Sequence, residues 1–445
     1  MPKRRLADKG RTRAAQRPPS GKARAAEPAA RSFLRARPGT LVFVLIAAHL
    51  LFAILAFEPQ LHNGGDNAAY YALARSLLNG SGYREIYDPA QPIHTQYPPV
   101  FPLMLAGLLA VGLQPWIPFK ILIVACSAAA IALSFFWLRR KLRPELAFTI
   151  ALLMAVSPGV IGLSHWELSD VPFWALTAAA LFAWERLPPQ NPKRLLAATA
   201  LTLLAYFTRS AGLPLIAAAG IWLVWRRRWK QLAIFVAGAA PFVLWWWWRA
   251  RTQGGVDYVQ QFWFVNPYAP EQGRVGAIDL IRRAVENGTA YFNRHLPLLL
   301  VGASHVLGMV ISYIVGVLAL IGWTRRLKHA QIAELFFPLY IGLLLVWPAV
   351  WSGERFLVPA LPLILFYSAD ALLRITRRLR PALMRPASLA AAAALVIIAL
   401  PPLSVSVRWG MMCTREYVAG DRYACHDPEW HDFFYTAELA GRVLP

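Results

Sequence analysis

Long apolar runs recur along this chain, and they constrain its fold more than any other feature. A helix that crosses a bilayer needs about 20 mostly apolar residues. Eleven runs of roughly this kind lie at 40–57, 117–138, 146–163, 171–185, 195–208, 211–225, 231–248, 296–324, 333–351, 355–373 and 388–406. Only 16% of the residues are charged, whereas soluble domains carry about 25%. The sequence therefore predicts an all-α polytopic membrane protein with about eleven transmembrane helices.

A further apolar run at 98–113 is short and begins with two prolines. If this run is interfacial or re-entrant, every internal cluster of Lys and Arg falls on the side of the basic N-terminal segment. These clusters lie at 139–143, 193–194, 226–230, 325–328 and 374–385. Because basic loops stay in the cytoplasm, we predict a cytoplasmic N terminus, an outer C terminus and an odd number of spans.

This topology divides the chain into segments with different roles. They are a disordered basic cytoplasmic arm at 1–39, a transmembrane domain at 40–406, a first outer loop with interfacial helices at 58–116, a second outer loop at 249–295 and an outer tail at 407–445. In the tail, Cys413 and Cys425 either form a disulfide or stay unpaired. The run at 296–324 contains Ser304 and His305 and reads either as one span or as an interfacial turn followed by a span.

The net charge of +23 would also fit a nucleic-acid binder. However, the positive charge collects in the arm, which holds twelve Lys or Arg, and in the predicted cytoplasmic loops. The charge therefore indicates membrane orientation and contact with anionic lipid headgroups, and no nucleic-acid partner is predicted.

Ionisable residues that are candidates for chemistry collect in the predicted outer connections. Asp66 precedes a helical pattern and reads either as a helix cap or as a catalytic acid or base. Asp170 lies at another helix start and has the same two readings. Arg209, between two apolar runs, needs an anionic partner or a lipid headgroup. Arg355 either pairs with the adjacent Glu354 or holds a phosphate.

The segment that leads into the run at 98–113 contains His94 and Tyr97. By itself it reads as a turn that enters a helix. The sequence shows no metal-ligand cluster of Cys and His, no phosphate-binding loop, no dinucleotide motif and no nucleophile elbow. We therefore predict neither a metal nor a cofactor.

The outer motifs, taken in order, resemble those of the GT-C glycosyltransferase superfamily. They are Asp-x-x-x-Tyr-x-x-x-Ala-Arg from Asp66, Tyr-Pro-Pro-x-x-Pro-Leu from Tyr97, an acidic motif ending at Asp170, Thr-Arg-Ser-x-Gly around Arg209, and Glu-Arg-Phe-Leu-Val-Pro-Ala-Leu-Pro from Glu354. The resemblance covers about residues 40–370. Its nearest families are the protein O-mannosyltransferases, the lipid A aminoarabinose transferases and the bacterial RgtA/B/C/D-like glycosyltransferases.

The resemblance implies an enzyme of the bacterial inner membrane. Such an enzyme transfers a sugar from a polyprenyl-phosphate donor to a hydroxyl of a glycan, lipid or protein on the non-cytoplasmic face, with inversion. Asp66 is the implied general base, and Arg209 and Arg355 the implied partners of the leaving phosphate. The further implied substrate-binding residues are Asp170, His94, Tyr97 and Glu354. Many relatives carry a second acid directly after the first, where this chain has Asn67.

Two other functions compete with this interpretation. A non-enzymatic transporter or lipid flippase would place charged residues or broken helices in the middle of the membrane, and the predicted spans nearly lack such residues. A structural or assembly protein would depend on the tail at 407–445 and would tolerate loss of Asp66.

Overall fold

The structure, a computed structural model, describes residues 37–62, 66–186, 191–253 and 258–430. Within these residues the fold is all-helical, with no strand and two isolated β-bridges. The predicted all-α membrane fold is confirmed. Residues 1–36 of the predicted basic arm and residues 431–445 of the tail lie outside the described residues.

The described residues form seventeen α-helices. In chain order they are α1 Pro38–Leu55, α2 Asn67–Leu78, α3 Val100–Ala110, α4 Ile117–Arg139, α5 Pro144–Val156, α6 Pro158–Leu163, α7 Asp170–Glu185, α8 Pro192–Thr208, α9 Leu213–Trp225, α10 Trp229–Thr252, α11 Tyr258–Phe262, α12 Ala277–Ala290, α13 Leu296–Val301, α14 Val306–Arg326, α15 Ile332–Val346, α16 Leu361–Leu379 and α17 Met384–Val418. A 3₁₀ helix, Glu354–Ala360, leads directly into α16.

Each of the eleven predicted spans coincides with one of these helices or with a pair of them. By length and composition, six helices in the described part of the chain are able to cross a membrane: Pro38–Leu55, Ile117–Arg139, Trp229–Thr252, Val306–His329, Glu354–Leu379 and Pro381–Val418. Helix α3 has eleven residues and therefore rises only about 16 Å, half the thickness of a bilayer core. Its length agrees with an interfacial position. The count of eleven spans remains a prediction.

Two of the predicted spans are interrupted. The run at 146–163 breaks at Ser157, whose hydroxyl donates to the Leu299 carbonyl at 2.6 Å and accepts from the Val160 N–H. The run at 296–324 breaks at Gly302, which has φ +73, and restarts after His305, whose ring accepts from the Gly308 N–H at 3.0 Å. The run at 296–324 is therefore two helices joined by a turn, and the second of them is long and apolar enough to cross a membrane.

The basic clusters and the candidate residues lie at opposite ends of the same helices. Helix α8 begins beside Lys193 and ends at Arg209, and the helical segment of α16 begins beside Arg355 and ends beyond Arg378. Helix α7, whose first turn is buried, begins at Asp170. The candidate residues are thus gathered at one end of the bundle.

The C-terminal tail is fastened to the start of the first outer loop. Cys413 and Cys425 form a disulfide, with 5.7 Å between their Cα atoms. The Gln60 amide donates to the Cys413 carbonyl at 2.9 Å, and the Thr414 hydroxyl donates to the Phe57 carbonyl at 3.0 Å. The tail therefore supports the segment that leads to Asp66.

Candidate active site

A cavity of about 360 Å³ lies where the two outer loops meet the ends of α8, α15 and the turn before α16. Four of the seven predicted site residues line it. The full lining is Asp66, Gln96, Tyr97, Arg209, Ser210, Ala211, Tyr258, Gln261, Tyr268, Leu343, Leu344, Trp347, Trp351, Arg355 and Phe356. The cavity therefore brings together residues from the first outer loop to α16.

Asp66 stands at the start of α2, but its side chain does not cap that helix. Its Oδ1 accepts a hydrogen bond of 2.8 Å from the Tyr97 hydroxyl. Among the described residues, no group donates to its other carboxylate oxygen. Burial, followed by the charge of Asp66, raises the pKa of the Tyr97 hydroxyl, so Tyr97 remains a donor. The structure thus leaves one oxygen of Asp66 available inside the cavity.

Asn67 stands where the sequence resemblance implies a second acid. Its amide donates to the His62 carbonyl at 2.7 Å, and its carbonyl oxygen accepts from the Ala68 N–H at 2.9 Å. Asn67 therefore caps the beginning of α2 and ties it to the preceding loop. Its side chain is buried and does not line the cavity.

His94 lies behind Tyr97 and does not line the cavity. Burial lowers the pKa of the His94 ring, which favours the neutral form. The ring nitrogen Nε2 accepts from the Tyr97 N–H at 2.7 Å, and Nδ1 lies 2.8 Å from Glu85 Oε1. The Arg249 guanidinium donates to the His94 carbonyl at 2.7 Å. His94 therefore fixes the backbone that carries Tyr97.

Arg209 enters the cavity because α8 ends abruptly beside it. Its backbone is extended, at φ −154, and a short turn follows. A Cβ at Gly212 would lie 2.7 Å from the Tyr206 Cα, so only glycine fits this turn. The Arg209 guanidinium lies 3.0 Å from Asp170 Oδ2. The anionic partner expected for Arg209 is Asp170.

Asp170 is 3% exposed and does not line the cavity. Its neighbour Ser169 accepts from the Arg209 guanidinium at 3.0 Å and lies 2.9 Å from the Tyr70 hydroxyl. The Tyr70 ring in turn packs against Tyr97, with 4.9 Å between centroids. Asp170 therefore acts on the cavity by orienting Arg209, and two hydrogen bonds followed by a ring contact connect that pair to Tyr97.

Arg355 and Arg209 flank the ring of Phe356. Their guanidinium carbons lie 4.9 Å and 4.7 Å from its centroid. The two carbons are therefore separated by no more than the sum of these two distances. Within the described residues Arg355 has no acidic partner. Glu354 instead bonds the His295 ring at 3.0 Å. Glu354 and Arg355 therefore do not pair, and Glu354 does not line the cavity.

Comparison with known proteins places this fold. No family model matches the sequence, and no curated protein matches it. The structure is similar to ArnT from Cupriavidus metallidurans bound to undecaprenyl phosphate, with a TM-score of 0.51, 14% identity, and 87% of this chain and 80% of that one covered. The chain has the GT-C fold.

A second GT-C structure gives a similar score. It is the Archaeoglobus fulgidus oligosaccharyltransferase in complex with Zn and sulfate, with a TM-score of 0.53 and 15% identity. The match covers 89% of this chain but 56% of that one. The present chain therefore spans just over half the length of that oligosaccharyltransferase.

One wall of the cavity in this GT-C fold was not predicted from the sequence. It consists of Gln96, Tyr258, Gln261, Tyr268, Trp347 and Trp351. The second outer loop is visibly rich in aromatic residues, but no periodicity or motif indicates which of them face Asp66. These residues come together because the two outer loops contact the turn after α15.

A buried ion pair was also not predicted from the sequence. The Lys120 ammonium, in α4, lies 3.0 Å from Glu167 Oε1 and donates to the His165 carbonyl at 2.6 Å. Glu167 accepts from the His62 N–H at 3.4 Å, and the His62 ring stacks on Trp166 at 4.1 Å. Lys120 and Glu167 thereby hold the backbone just before Asp66.

Proposed function

We propose that this protein is a glycosyltransferase of the bacterial inner membrane. It moves a sugar from a polyprenyl-phosphate donor to an acceptor hydroxyl on the non-cytoplasmic face, with inversion. One observation carries the proposal: a single cavity is lined by Asp66, one of whose carboxylate oxygens has no hydrogen-bond partner among the described residues, and by Arg209 and Arg355. The GT-C fold supports it, since solved structures with this fold include ArnT bound to undecaprenyl phosphate and an oligosaccharyltransferase.

Asp66 is the general base of the proposed reaction. The acceptor hydroxyl gives its proton to the free oxygen of Asp66 while its own oxygen bonds to the anomeric carbon of the donor sugar. A carboxylate is a weak base toward a hydroxyl, so the proton moves within the transition state. The bond between the anomeric carbon and the phosphate oxygen breaks on the opposite side. This single displacement inverts the anomeric centre.

Arg355 and Arg209 stabilise the phosphate that leaves. Arg355 is unpaired within the described residues and is able to bind two phosphate oxygens at once. Arg209 is already oriented by Asp170 and Ser169, so it need not reorganise as charge develops on the phosphate. Both guanidinium groups line the same cavity and contact the ring of Phe356, which supports their action on one phosphate.

The cavity is placed well for a donor with a lipid tail. Leu343, Leu344 and Ala211 line it at the ends of apolar helices, where a polyprenyl chain remains in lipid while its phosphate reaches the arginines. The basic clusters lie at the other ends of these helices. By the positive-inside rule, the cavity then faces the periplasm or the exterior.

The test replaces Asp66 by Asn and compares it with a matched control. Asp88→Asn makes the same change in the same outer loop, at a partly exposed aspartate whose carboxylate accepts from the Ala90 N–H. Transfer from a panel of undecaprenyl-phosphate sugars is measured with both variants in membranes. Asp66→Asn should lower the rate by about 10²–10⁴-fold, and Asp88→Asn should not. Wild-type transfer by Asp66→Asn would remove the base assignment.

A further inference from the structure

The aromatic wall of the cavity has no role in the steps proposed above. Three of its rings form a continuous surface: Tyr258 lies 6.2 Å from Trp351 and 5.7 Å from Trp347 between centroids, and Trp347 lies 5.8 Å from Trp351. Tyr268 extends this surface outward, at 6.0 Å from Trp351. The aromatic wall consists of Tyr258, Tyr268, Trp347 and Trp351.

A pair of glutamines faces the same space. The Gln96 amide donates to Gln261 Oε1 at 2.9 Å, so the first outer loop is linked to α11. Among the described residues, no group bonds the oxygen of Gln96 or the amide nitrogen of Gln261 in return. The pair therefore presents one acceptor and one set of N–H donors side by side. A vicinal pair of hydroxyls, each of which both donates and accepts, matches this arrangement.

The wall adjoins the proposed base directly. The Tyr97 ring, whose hydroxyl holds Asp66, lies 6.3 Å from the Tyr258 ring. A group resting on the wall therefore lies next to the free oxygen of Asp66. The wall and the two glutamines carry no formal charge, so they offer a phosphate no counter-charge. The cavity thus has a cationic part at the helix ends and an uncharged aromatic and amide part in the outer loops.

We propose that the aromatic wall and the glutamine pair form a subsite for a carbohydrate acceptor. The C–H face of a pyranose ring packs on the wall, as apolar surfaces do on aromatic faces, and its hydroxyls bond Gln96 and Gln261. The proposal rests on the proposed function and names its acceptor class. The acceptor hydroxyl loses its proton to Asp66, its oxygen bonds to the anomeric carbon, and the sugar–phosphate bond releases polyprenyl phosphate.

The direction of entry assigns this subsite to the acceptor. A donor anchored by a polyprenyl chain reaches the cavity from the lipid side, near Leu343 and Leu344, with its phosphate on the arginines. The wall is built mainly from the second outer loop and from the turn after α15, and Tyr268 is 75% exposed. A water-borne sugar residue therefore reaches the wall from the aqueous side.

The test measures binding of simple sugars to the full-length protein in nanodiscs. Saturation-transfer NMR is recorded with methyl glycosides of mannose, glucose, galactose and arabinose and with a short Ser/Thr peptide. Trp351→Leu and Gln261→Ala should weaken the responding glycoside by about tenfold, the size of one lost stacking or hydrogen-bonding contact. The control Trp245→Leu, at an exposed tryptophan of α10, should leave glycoside binding unchanged.

Binding of undecaprenyl phosphate to the same variants separates donor from acceptor. Trp351→Leu and Gln261→Ala should retain wild-type affinity for it. The proposal would be overturned if the variants lost affinity for undecaprenyl phosphate but still bound the glycoside. It would also be overturned if only the peptide gave a saturation-transfer signal, or if no glycoside gave one. Sugar binding at the wall together with full transfer by Asp66→Asn would instead overturn the base assignment and leave the subsite standing.

Discussion

The Tyr97 hydroxyl donates to Asp66 Oδ1 at 2.8 Å, across 31 positions of sequence. This bond joins the helix that begins after Asp66 to the turn that enters α3. Because Tyr97 occupies one oxygen, the carboxylate presents the other to the cavity. The orientation of Asp66 therefore depends on the packing of the first outer loop, which His94 and Arg249 hold from behind.

Replacing Tyr97 by Phe should lower kcat by about tenfold, since a hydrogen bond to a charged group contributes about 1.5 kcal/mol. The KM for the donor should hardly change, because the phosphate partners are intact. Steady-state transfer kinetics provide the measurement. Tyr71→Phe, at a neighbouring tyrosine that packs on Trp116 and Phe119, is the control. Equal losses in both variants would contradict the role given to Tyr97.

Replacing Arg355 by Met should weaken transfer by about 10²–10³-fold, the usual effect of losing one preorganised donor to a developing anion. The thermal midpoint should stay close to that of wild type, because Arg355 leaves no described acid unpaired. The control is Arg282→Met, which removes an exposed pair with Glu286 and should change neither quantity. A large loss of stability in Arg355→Met would show that its role is structural.

Replacing Arg209 by Met should have a different outcome, because it leaves Asp170 buried without its cation. A buried pair broken in this way costs about 3–5 kcal/mol of unfolding free energy. The double variant Arg209→Met/Asp170→Asn should recover most of that stability but not the transfer activity. Thermal unfolding and transfer rates of both variants decide the matter. Recovered activity in the double variant would exclude a contact between Arg209 and the phosphate.

Reducing the disulfide between Cys413 and Cys425 should lower the stability by about 2–3 kcal/mol. The tail would then loosen from Phe57 and Gln60, and the segment before Asp66 would lose support. The measurement is the thermal midpoint with and without a reductant, for the wild type and for Cys413→Ser/Cys425→Ser. The double variant should have a lower thermal midpoint than wild type, and the reductant should not change it. Cys126→Ser, at the free cysteine, should still respond to it.

Acid should destabilise the protein through His62. Burial, followed by the charges of Lys120, Arg355 and His426, lowers the pKa of His62 from 6.5 to about 3. Between these values the unfolded chain binds a proton that the folded chain does not, so the unfolding free energy falls as the pH falls. The thermal midpoint of His62→Gln should therefore drop less than that of wild type between about pH 7 and about pH 5. Equal drops would show that His62 is not responsible.

The helices themselves were predictable from the sequence. Each predicted apolar run coincides with a helix or helix pair, because a segment in lipid must satisfy its own backbone hydrogen bonds and a helix does so locally. Helix α3 begins directly after two prolines and ends just before Gly112, which has φ +82. The sequence also indicated Asp66, Arg209 and Arg355 as candidate site residues, because ionisable residues beside a bilayer are costly and few.

The partners of those residues were decided only by the tertiary structure. The sequence left open whether Asp66 and Asp170 are helix caps or functional groups, since both uses place the same residue at the same position. The structure assigns Asp170 to Arg209 and the Asp66 carboxylate to Tyr97, through contacts across 39 and 31 positions. The aromatic wall likewise arises where the second outer loop meets the turn after α15. Sequence periodicity indicates on which face of its own helix a residue lies, whereas pairing between distant segments depends on how the helices pack.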